Sequence, residues 1–399
     1  MNLAQLRRAE SRLLVPTYRR APVYFRRGRG CYLFDDQGKR YLDFITGIGV
    51  NALGYAHPGI LAVLQFQSAR LIHLSNLYPN EFQVSAARQL CAMSGLERVF
   101  FTNSGTEAIE GALKLARLYA RKTHRSARAG PPGHFLAVEH SFHGRTFGAL
   151  SITFPGKYRK PYAPLLAGAR FVRFNDLDDL RRKFDSRVAA IILEPIQGEA
   201  GVRPISAEFY REARRLAAKR GALLVADEIQ CGLSRTGRHF AFERLGGRPD
   251  VITVAKPLAG GLPLGAFLAS ERVANVFSPG IHGTTFGGGP LACAVATKVL
   301  NIVRRRKMLE HIRRMGELVL SGLDELRRKF SYVKEVRGAG LMLGMELDCA
   351  GEKIVDRARD FGLLINCAHE RTLRFLPPYI VEPAQVDEFL NKLERALVR

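Results

Sequence analysis

Between about Leu96 and Ser270, short apolar, β-branched runs take turns with amphipathic stretches, and this alternation restricts the fold more than any other feature. Seven runs stand out: Arg98–Thr102, His134–Val138, Ala169–Phe174, Val188–Leu193, Ala222–Ala226, Val251–Ala255 and Leu264–Ala269. Their near-continuous apolar character predicts strands buried on both faces, as in a mostly parallel sheet covered by helices. Between them, Ile109, Ala112, Leu113, Ala116 and Tyr119 recur at helical spacing and predict a helix over Thr106–Arg121. A second helix is predicted to follow Ser206 as its N-cap and to end at Gly221. Only Lys256–Pro263 separates the last two runs, too little for a crossover helix, so that pair is predicted antiparallel. The predicted class is α/β, a seven-stranded mostly parallel sheet with one antiparallel strand.

A chain of 399 residues is too long for one ordinary core. From Pro290 a basic amphipathic helical region runs to Phe330, and β-like pieces follow at Val333–Arg337, Leu341–Leu347 and Thr372–Phe375. A closing helix has Pro383 in its first turn and Val386, Phe389, Leu390, Leu393 and Leu397 on one face. This predicts a smaller α+β domain over 286–399, beside a large domain over 46–285. Residues 1–45, with a hairpin of Cys31–Asp35 and Arg40–Phe44, are expected to pack with the small one. The Thr123–Gly133 stretch reads as a solvated loop.

Composition narrows the classes. The 47% hydrophobic and 25% charged content excludes disorder, collagen and coiled coil. No apolar run approaches the ~18–20 residues that cross a bilayer. Arginines interrupt the apolar residues of Met1–Arg20, so no secretory leader is expected and a cytoplasmic location is. The net charge of +24 comes from 61 Lys and Arg against 37 acids. The densest basic clusters (Arg304–Lys307, Arg313–Arg314, Arg327–Lys329) fall on predicted helix faces without interleaved aromatics, so no nucleic-acid role is expected. Anionic small molecules or an acidic partner suit this charge better. Cys31, Cys91, Cys231, Cys293, Cys349 and Cys367 are scattered and read as reduced, and the ten His show no ligand spacing, so no metal is expected.

In open parallel sheets ligands bind beyond the carboxyl ends of the strands. After the first run come Asn103, Ser104, Gly105 and Thr106, opening directly into a helix, where backbone N–H groups and hydroxyls can meet a phosphate. The same residues also cap helices that bind nothing. After the second run come Phe142, which could stack on a flat ligand, and Arg145, which could clamp a carboxylate. The alternative is a core aromatic beside a solvated arginine. After the fifth come Asp227, Glu228, Ile229 and Gln230; a carboxylate at a buried strand end needs a cation or donors. After the sixth comes Lys256 between Ala255 and Pro257, where desolvation would make an amine nucleophile of it. On one sheet, an anchor for phosphate, an acid and an amine are the three fixtures that pyridoxal phosphate needs.

With these residues in view, the chain resembles the class III (ω-amino-acid) aminotransferases of fold type I, most closely the acetylornithine aminotransferases. The resemblance runs in order through Tyr41–Phe44, Asn51–Pro58, Asn103–Ala108, Phe142–Arg145, Glu194–Glu199, Asp227–Gln230, Ala255–Pro257, Thr284–Gly287 and Leu373–Phe375. It implies pyridoxal 5'-phosphate as cofactor and a ping-pong transfer of the terminal amino group of N2-acetyl-L-ornithine to 2-oxoglutarate, in arginine biosynthesis. It also implies that Lys256 takes the cofactor's aldehyde and then moves the proton, and that Asp227 holds the ring nitrogen. Gln230 would meet the ring hydroxyl, and Phe142 and Ile229 would sandwich the ring. Ser104, Gly105 and Thr106 would bind the phosphate, with Thr285 reaching in from the second subunit of a homodimer. Arg374 would take the α-carboxylate of glutamate, Glu199 would neutralise Arg374 when the ω-amine donor is bound, and Arg145 would hold the distal carboxylate. Tyr18 matches a substrate tyrosine.

Ile48 stands where free-ornithine enzymes carry a tyrosine, which favours a donor with a blocked α-nitrogen; 4-aminobutyrate enzymes share the isoleucine. Ile109 replaces a usual Asn and is expected to alter helix packing, and Gly289 replaces another and is expected to loosen the loop of Thr285. The alternatives are an ornithine or 4-aminobutyrate enzyme, a transaminase for a lysine or ornithine precursor borne by an acidic amino-group carrier protein, and, remotely, a basic nucleic-acid-binding protein on an inactive enzyme fold.

Overall fold

The computed structural model describes residues 1–123, 133–154 and 156–398; the predicted loop Thr123–Gly133 falls almost wholly on 124–132, outside the described residues. All seven predicted runs are strands of one sheet: β1 (Arg98–Thr102), β2 (His134–Val138), β3 (Ala169–Val172), β4 (Val188–Leu193), β5 (Leu223–Asp227), β6 (Val251–Val254) and β7 (Gly265–Ala269). Their order is β1-β7-β6-β5-β4-β2-β3. Only β7 runs antiparallel, to β6 on one side and β1 on the other. The carboxyl ends of the other six strands therefore share one edge of the sheet, as the alternation and the short Lys256–Pro263 link require. All six residues of β4 are buried, in keeping with a central strand covered on both faces.

Helix α1 (Gly105–Thr123) buries Ile109, Ala112, Leu113, Ala116 and Tyr119, the predicted stripe. Ile109 is fully buried among apolar neighbours, so the replacement of a polar residue there is accommodated by the core. Helix α2 (Ala207–Arg220) is capped by Ser206, whose side chain accepts from the Phe209 N–H, and stops at Gly221 in the left-handed region. The predicted basic helical region is two helices, α3 (Pro290–Val303) and α4 (Arg306–Lys329). Gly289 is the N-cap of α3, and its N–H donates to the Phe286 carbonyl at 3.1 Å, which closes the turn after Thr285. Helix α3 packs on the helices Pro58–Ser68 and Glu81–Ser94.

A second sheet holds β8 (Val333–Ala339), β9 (Met342–Leu347), β10 (Asn366–Ala368) and β11 (Thr372–Phe375) in the order β8-β9-β11-β10. The closing helix α5 (Pro383–Leu397) buries Val386, Phe389, Leu393 and Leu397. The predicted hairpin is present as Tyr32–Asp35 against Arg40–Asp43, within a sheet that adds Phe25–Arg29 and the parallel pair Leu363–Leu364. Phe44 stacks on Phe389 at 4.1 Å between ring centroids, which ties this N-terminal sheet to α5. Among the described residues no helix is long and apolar enough to cross a membrane.

Candidate active site

A cavity of about 260 Å³ opens at the carboxyl edge of the large sheet and is lined by residues from five strand ends. Gly105 and Thr106 follow β1, Phe142 to Arg145 follow β2, Glu194 and Glu199 follow β4, Asp227 ends β5 with Ile229 and Gln230 after it, and Ala255 and Lys256 follow β6. Nine of the predicted site residues thus converge on one space. Arg374 joins them from β11 of the second sheet. It is fully buried, and its guanidinium meets Glu199 at 2.6 Å, Gln230 at 3.1 Å and Asn366, its neighbour on β10, at 3.2 Å.

Asp227 ends β5 almost fully buried with both carboxylate oxygens engaged. Oδ1 accepts from the Ile229 N–H and from the Thr253 hydroxyl at 3.1 Å each, and Oδ2 lies 2.7 Å from His143 Nδ1. Fixed in this way, the carboxylate is aimed rather than merely present. Lys256 has no hydrogen bond or ion pair among the described residues. Burial lowers its pKa and the Arg374 charge adds to that, opposed by Glu199, Glu194 and Asp227. At Glu199 burial would raise the pKa, yet the nearby Arg374 and Lys256 charges hold the carboxyl below its ordinary value.

At the end of β1 the chain must come very close to its neighbours. A Cβ on Gly265, the first residue of β7, would lie 2.5 Å from the Ser104 carbonyl oxygen, and one on Gly105 would lie 2.8 Å from Ile229. Gly105 and Thr106 line the cavity, and their first-turn N–H groups have no partner among the described residues, as the start of a helix provides. Ser104 itself does not line it; its hydroxyl accepts from the Glu107 N–H at 3.4 Å. Arg145 is exposed, with its guanidinium 3.8 Å from the Tyr158 ring and 5.5 Å from that of Phe142. Glu199 lines both this cavity and a larger one of about 1060 Å³ that includes Arg19, Lys157, Tyr158, Glu352 and Asn366.

Two predicted residues lie elsewhere in the chain. Tyr18 is 79% exposed beside the N-terminal helix, and Thr285 lines a separate cavity of about 750 Å³ with Asn76, Phe101 and Thr284. Other residues went unrecognised in the sequence. Glu194 is buried with its oxygens accepting from the Phe142 and Gly198 N–H groups, and burial pushes its pKa up to about 7. His143 sits inside its motif and Thr253 inside an apolar run; the fold gives them a task by pairing Thr253 with Asp227 across the sheet and bringing His143 Nδ1 to 2.7 Å from its carboxylate.

The family described as Aminotransferase class-III matches residues 15–397. The chain belongs to the class-III aminotransferases. It is 44% identical to an acetylornithine aminotransferase of Caldanaerobacter subterraneus subsp. tengcongensis, over 97% of this chain and 98% of that one. An acetylornithine aminotransferase of Methanocaldococcus jannaschii is 41% identical over 96% of each. Among solved structures, the ornithine aminotransferase of Toxoplasma gondii superposes with a TM-score of 0.95 at 29% identity, covering 100% of this chain and 95% of that one. The N-acetylornithine aminotransferase of Stenotrophomonas maltophilia gives 0.83 at 35% identity and 97% coverage of each.

Enzymes of this family use pyridoxal 5'-phosphate, and the cavity of this class-III aminotransferase fits it. It offers a desolvated amine, an acid held on both oxygens, N–H donors at a helix start and an aromatic ring. One guanidinium nitrogen of Arg374, Nη2, is also buried without a hydrogen-bond partner among the described residues.

Proposed function

We propose that this chain transfers the terminal amino group of N2-acetyl-L-ornithine to 2-oxoglutarate, giving N-acetylglutamate 5-semialdehyde and L-glutamate, a step of arginine biosynthesis. The carrying observation is the Glu199–Arg374 pair at 2.6 Å, buried on the arginine side and part-exposed on the carboxylate side. A donor whose reacting carbon bears no carboxylate leaves the pair closed; glutamate brings a carboxylate that takes Arg374 and releases Glu199. The curated relatives at 41–44% identity are acetylornithine aminotransferases, which favours the acetylated donor; among solved structures, acetylornithine enzymes at 28% and 35% stand beside ornithine aminotransferases at 28–30%.

Pyridoxal phosphate, when bound, supplies an aldehyde carbon that accepts the amino group and a protonated ring that withdraws electrons from a breaking C–H bond. On our reading Lys256 Nζ holds and moves the proton, its pKa lowered by burial so that the neutral amine is accessible. Asp227 keeps a proton on the ring nitrogen, and Gln230 faces the ring hydroxyl. Phe142 and Ile229 enclose the ring and exclude water. The first-turn N–H groups of Gly105 and Thr106 would hold the phosphate, with Ser104 fixing the turn from outside the cavity, and Arg145 would hold the distal carboxylate of either substrate.

We propose further that the enzyme is a homodimer in which Thr285 serves the site of the other copy. Leu77 (87% exposed), Ile72, Tyr78 and Phe286 give an apolar surface around the Thr285 cavity, and Leu13, Val15 and Tyr18 are likewise exposed. The division into 1–45, 46–285 and 286–399 is part of the same proposal. A donor borne by an acidic carrier protein is the second reading, favoured by the +24 charge and by Arg19 and Lys157 on the outer cavity. Initial rates with 2-oxoglutarate as acceptor test the choice. N-acetylornithine should exceed ornithine and 4-aminobutyrate at least ~10-fold in kcat/KM, a ratio within reach of a few polar contacts; a preference for either rival would contradict the proposal.

A further inference from the structure

The Thr106 hydroxyl, expected to meet the phosphate, is fully occupied inside the protein. Thr146 Oγ1 lies 2.5 Å from Glu110 Oε1, and a carboxylate only accepts, so the single Thr146 proton goes to Glu110. The contact of 2.9 Å between Thr106 Oγ1 and Thr146 Oγ1 must then take its proton from Thr106. Thr106 Oγ1 also accepts the N–H groups of Arg145 at 3.2 Å and Thr146 at 3.3 Å. One proton and two acceptor sites are thereby used, and only the backbone N–H of Thr106 remains for an anion.

Glu110 stands one turn along α1 from Thr106, and its Oε1 gathers three donors from Thr146 and the first turn of the short helix Phe147–Ser151 that follows Arg145. Besides the Thr146 hydroxyl these are the Gly148 N–H at 2.9 Å and the Ala149 N–H at 3.1 Å. Loop and helix are too close for side chains to intervene. A Cβ on Gly144 would lie 2.2 Å from Thr106 Oγ1, and one on Gly148 would lie 2.3 Å from Glu110 Oε2.

We propose that Glu110 is a positioning residue that locks the Arg145 loop to the first turn of α1, so that the carboxylate clamp and the phosphate turn are held in one frame. The inference rests on the roles given above to Arg145 and to the Gly105–Thr106 turn. Glu110→Ala removes all three acceptor contacts, whereas Glu110→Gln keeps the oxygen that makes them. In the purified holoenzyme, Glu110→Ala should raise KM for 2-oxoglutarate ~10-fold or more and speed cofactor loss on dialysis by a similar factor, with kcat changed less than ~3-fold. Glu110→Gln should recover both constants to within ~3-fold of wild type.

Cofactor loss is followed by the visible absorbance remaining with the protein, and folding by the melting temperature. A Glu110→Ala protein that keeps its wild-type KM and cofactor retention would overturn the proposal, as would one that loses only thermal stability. Arg145→Ala separates this failure from failure of the site reading. It should raise KM while leaving cofactor retention intact. If its KM is unchanged, Arg145 is not the clamp, and cofactor retention in the Glu110 variants still decides the proposal for the phosphate turn.

Discussion

Replacing Glu199 by alanine should separate the two halves of the reaction. Arg374 is fully buried, and Glu199 at 2.6 Å is its only anionic partner among the described residues; Gln230 at 3.1 Å and Asn366 at 3.2 Å are neutral. Removing one member of a buried pair costs ~3–5 kcal/mol. The Glu199 side chain keeps 31% exposure, so water would recover part of that. A net ~1.5–3 kcal/mol corresponds to a ~10- to 150-fold fall in kcat/KM for the half-reaction with N-acetylornithine, where nothing replaces the lost carboxylate. In the glutamate half-reaction the substrate's own α-carboxylate meets Arg374, and the change should stay within ~3-fold. Rapid mixing with each amino donor alone, followed by cofactor absorbance, gives both constants. Glu199→Gln, which keeps shape without charge, should fall between. Equal losses in both half-reactions would refute the switch.

Three further outcomes are expected. Gly265→Ala forces a Cβ to within 2.5 Å of the Ser104 carbonyl, a backbone atom that cannot swing aside, so cofactor retention on dialysis should fall at least ~10-fold; retention unchanged would mean the turn does not depend on this approach. Burial holds the Lys256 pKa below its ordinary value of 10.5, so the fold disfavours the charged amine, in full below that lowered pKa and progressively less as the pH climbs to 10.5. Cofactor-free Lys256→Met should therefore be more stable at pH 7.5, on the order of 1 kcal/mol by denaturant titration, with the gain fading as the pH rises towards 10.5 and absent above it; a less stable variant would contradict the reasoning. His143→Ala leaves Asp227 Oδ2 without its partner and should lower kcat ~10-fold while the cofactor stays bound; an unchanged kcat would show that the Thr253 and Ile229 contacts suffice.

Much of this architecture could be read from the sequence because the signals were local. Val188–Leu193 is apolar at every position, and only a strand covered on both faces tolerates that. Asp227 and Lys256 stood out because a charge at the end of such a run needs a reason. Strand Phe25–Arg29 was missed because it is mostly exposed, and Leu363–Leu364 because two residues carry no pattern. The supporting shell was illegible for a different cause. Thr253, Glu194 and Glu110 gain their tasks from neighbours far along the chain, and nothing in their own spacing distinguishes them from ordinary buried or helical residues. Thr106 shows the limit most clearly: its residue type predicted a phosphate ligand, yet counting donors and acceptors around it assigns its hydroxyl to the protein.

The central claim is that one cavity runs both halves of the exchange in turn. The most direct test mixes purified holoenzyme with N-acetylornithine and no acceptor, and measures the aldehyde released per chain. One equivalent should form, with loss of the initial cofactor absorbance, and 2-oxoglutarate added later should restore that absorbance as glutamate appears. No semialdehyde until both substrates are present would contradict the account.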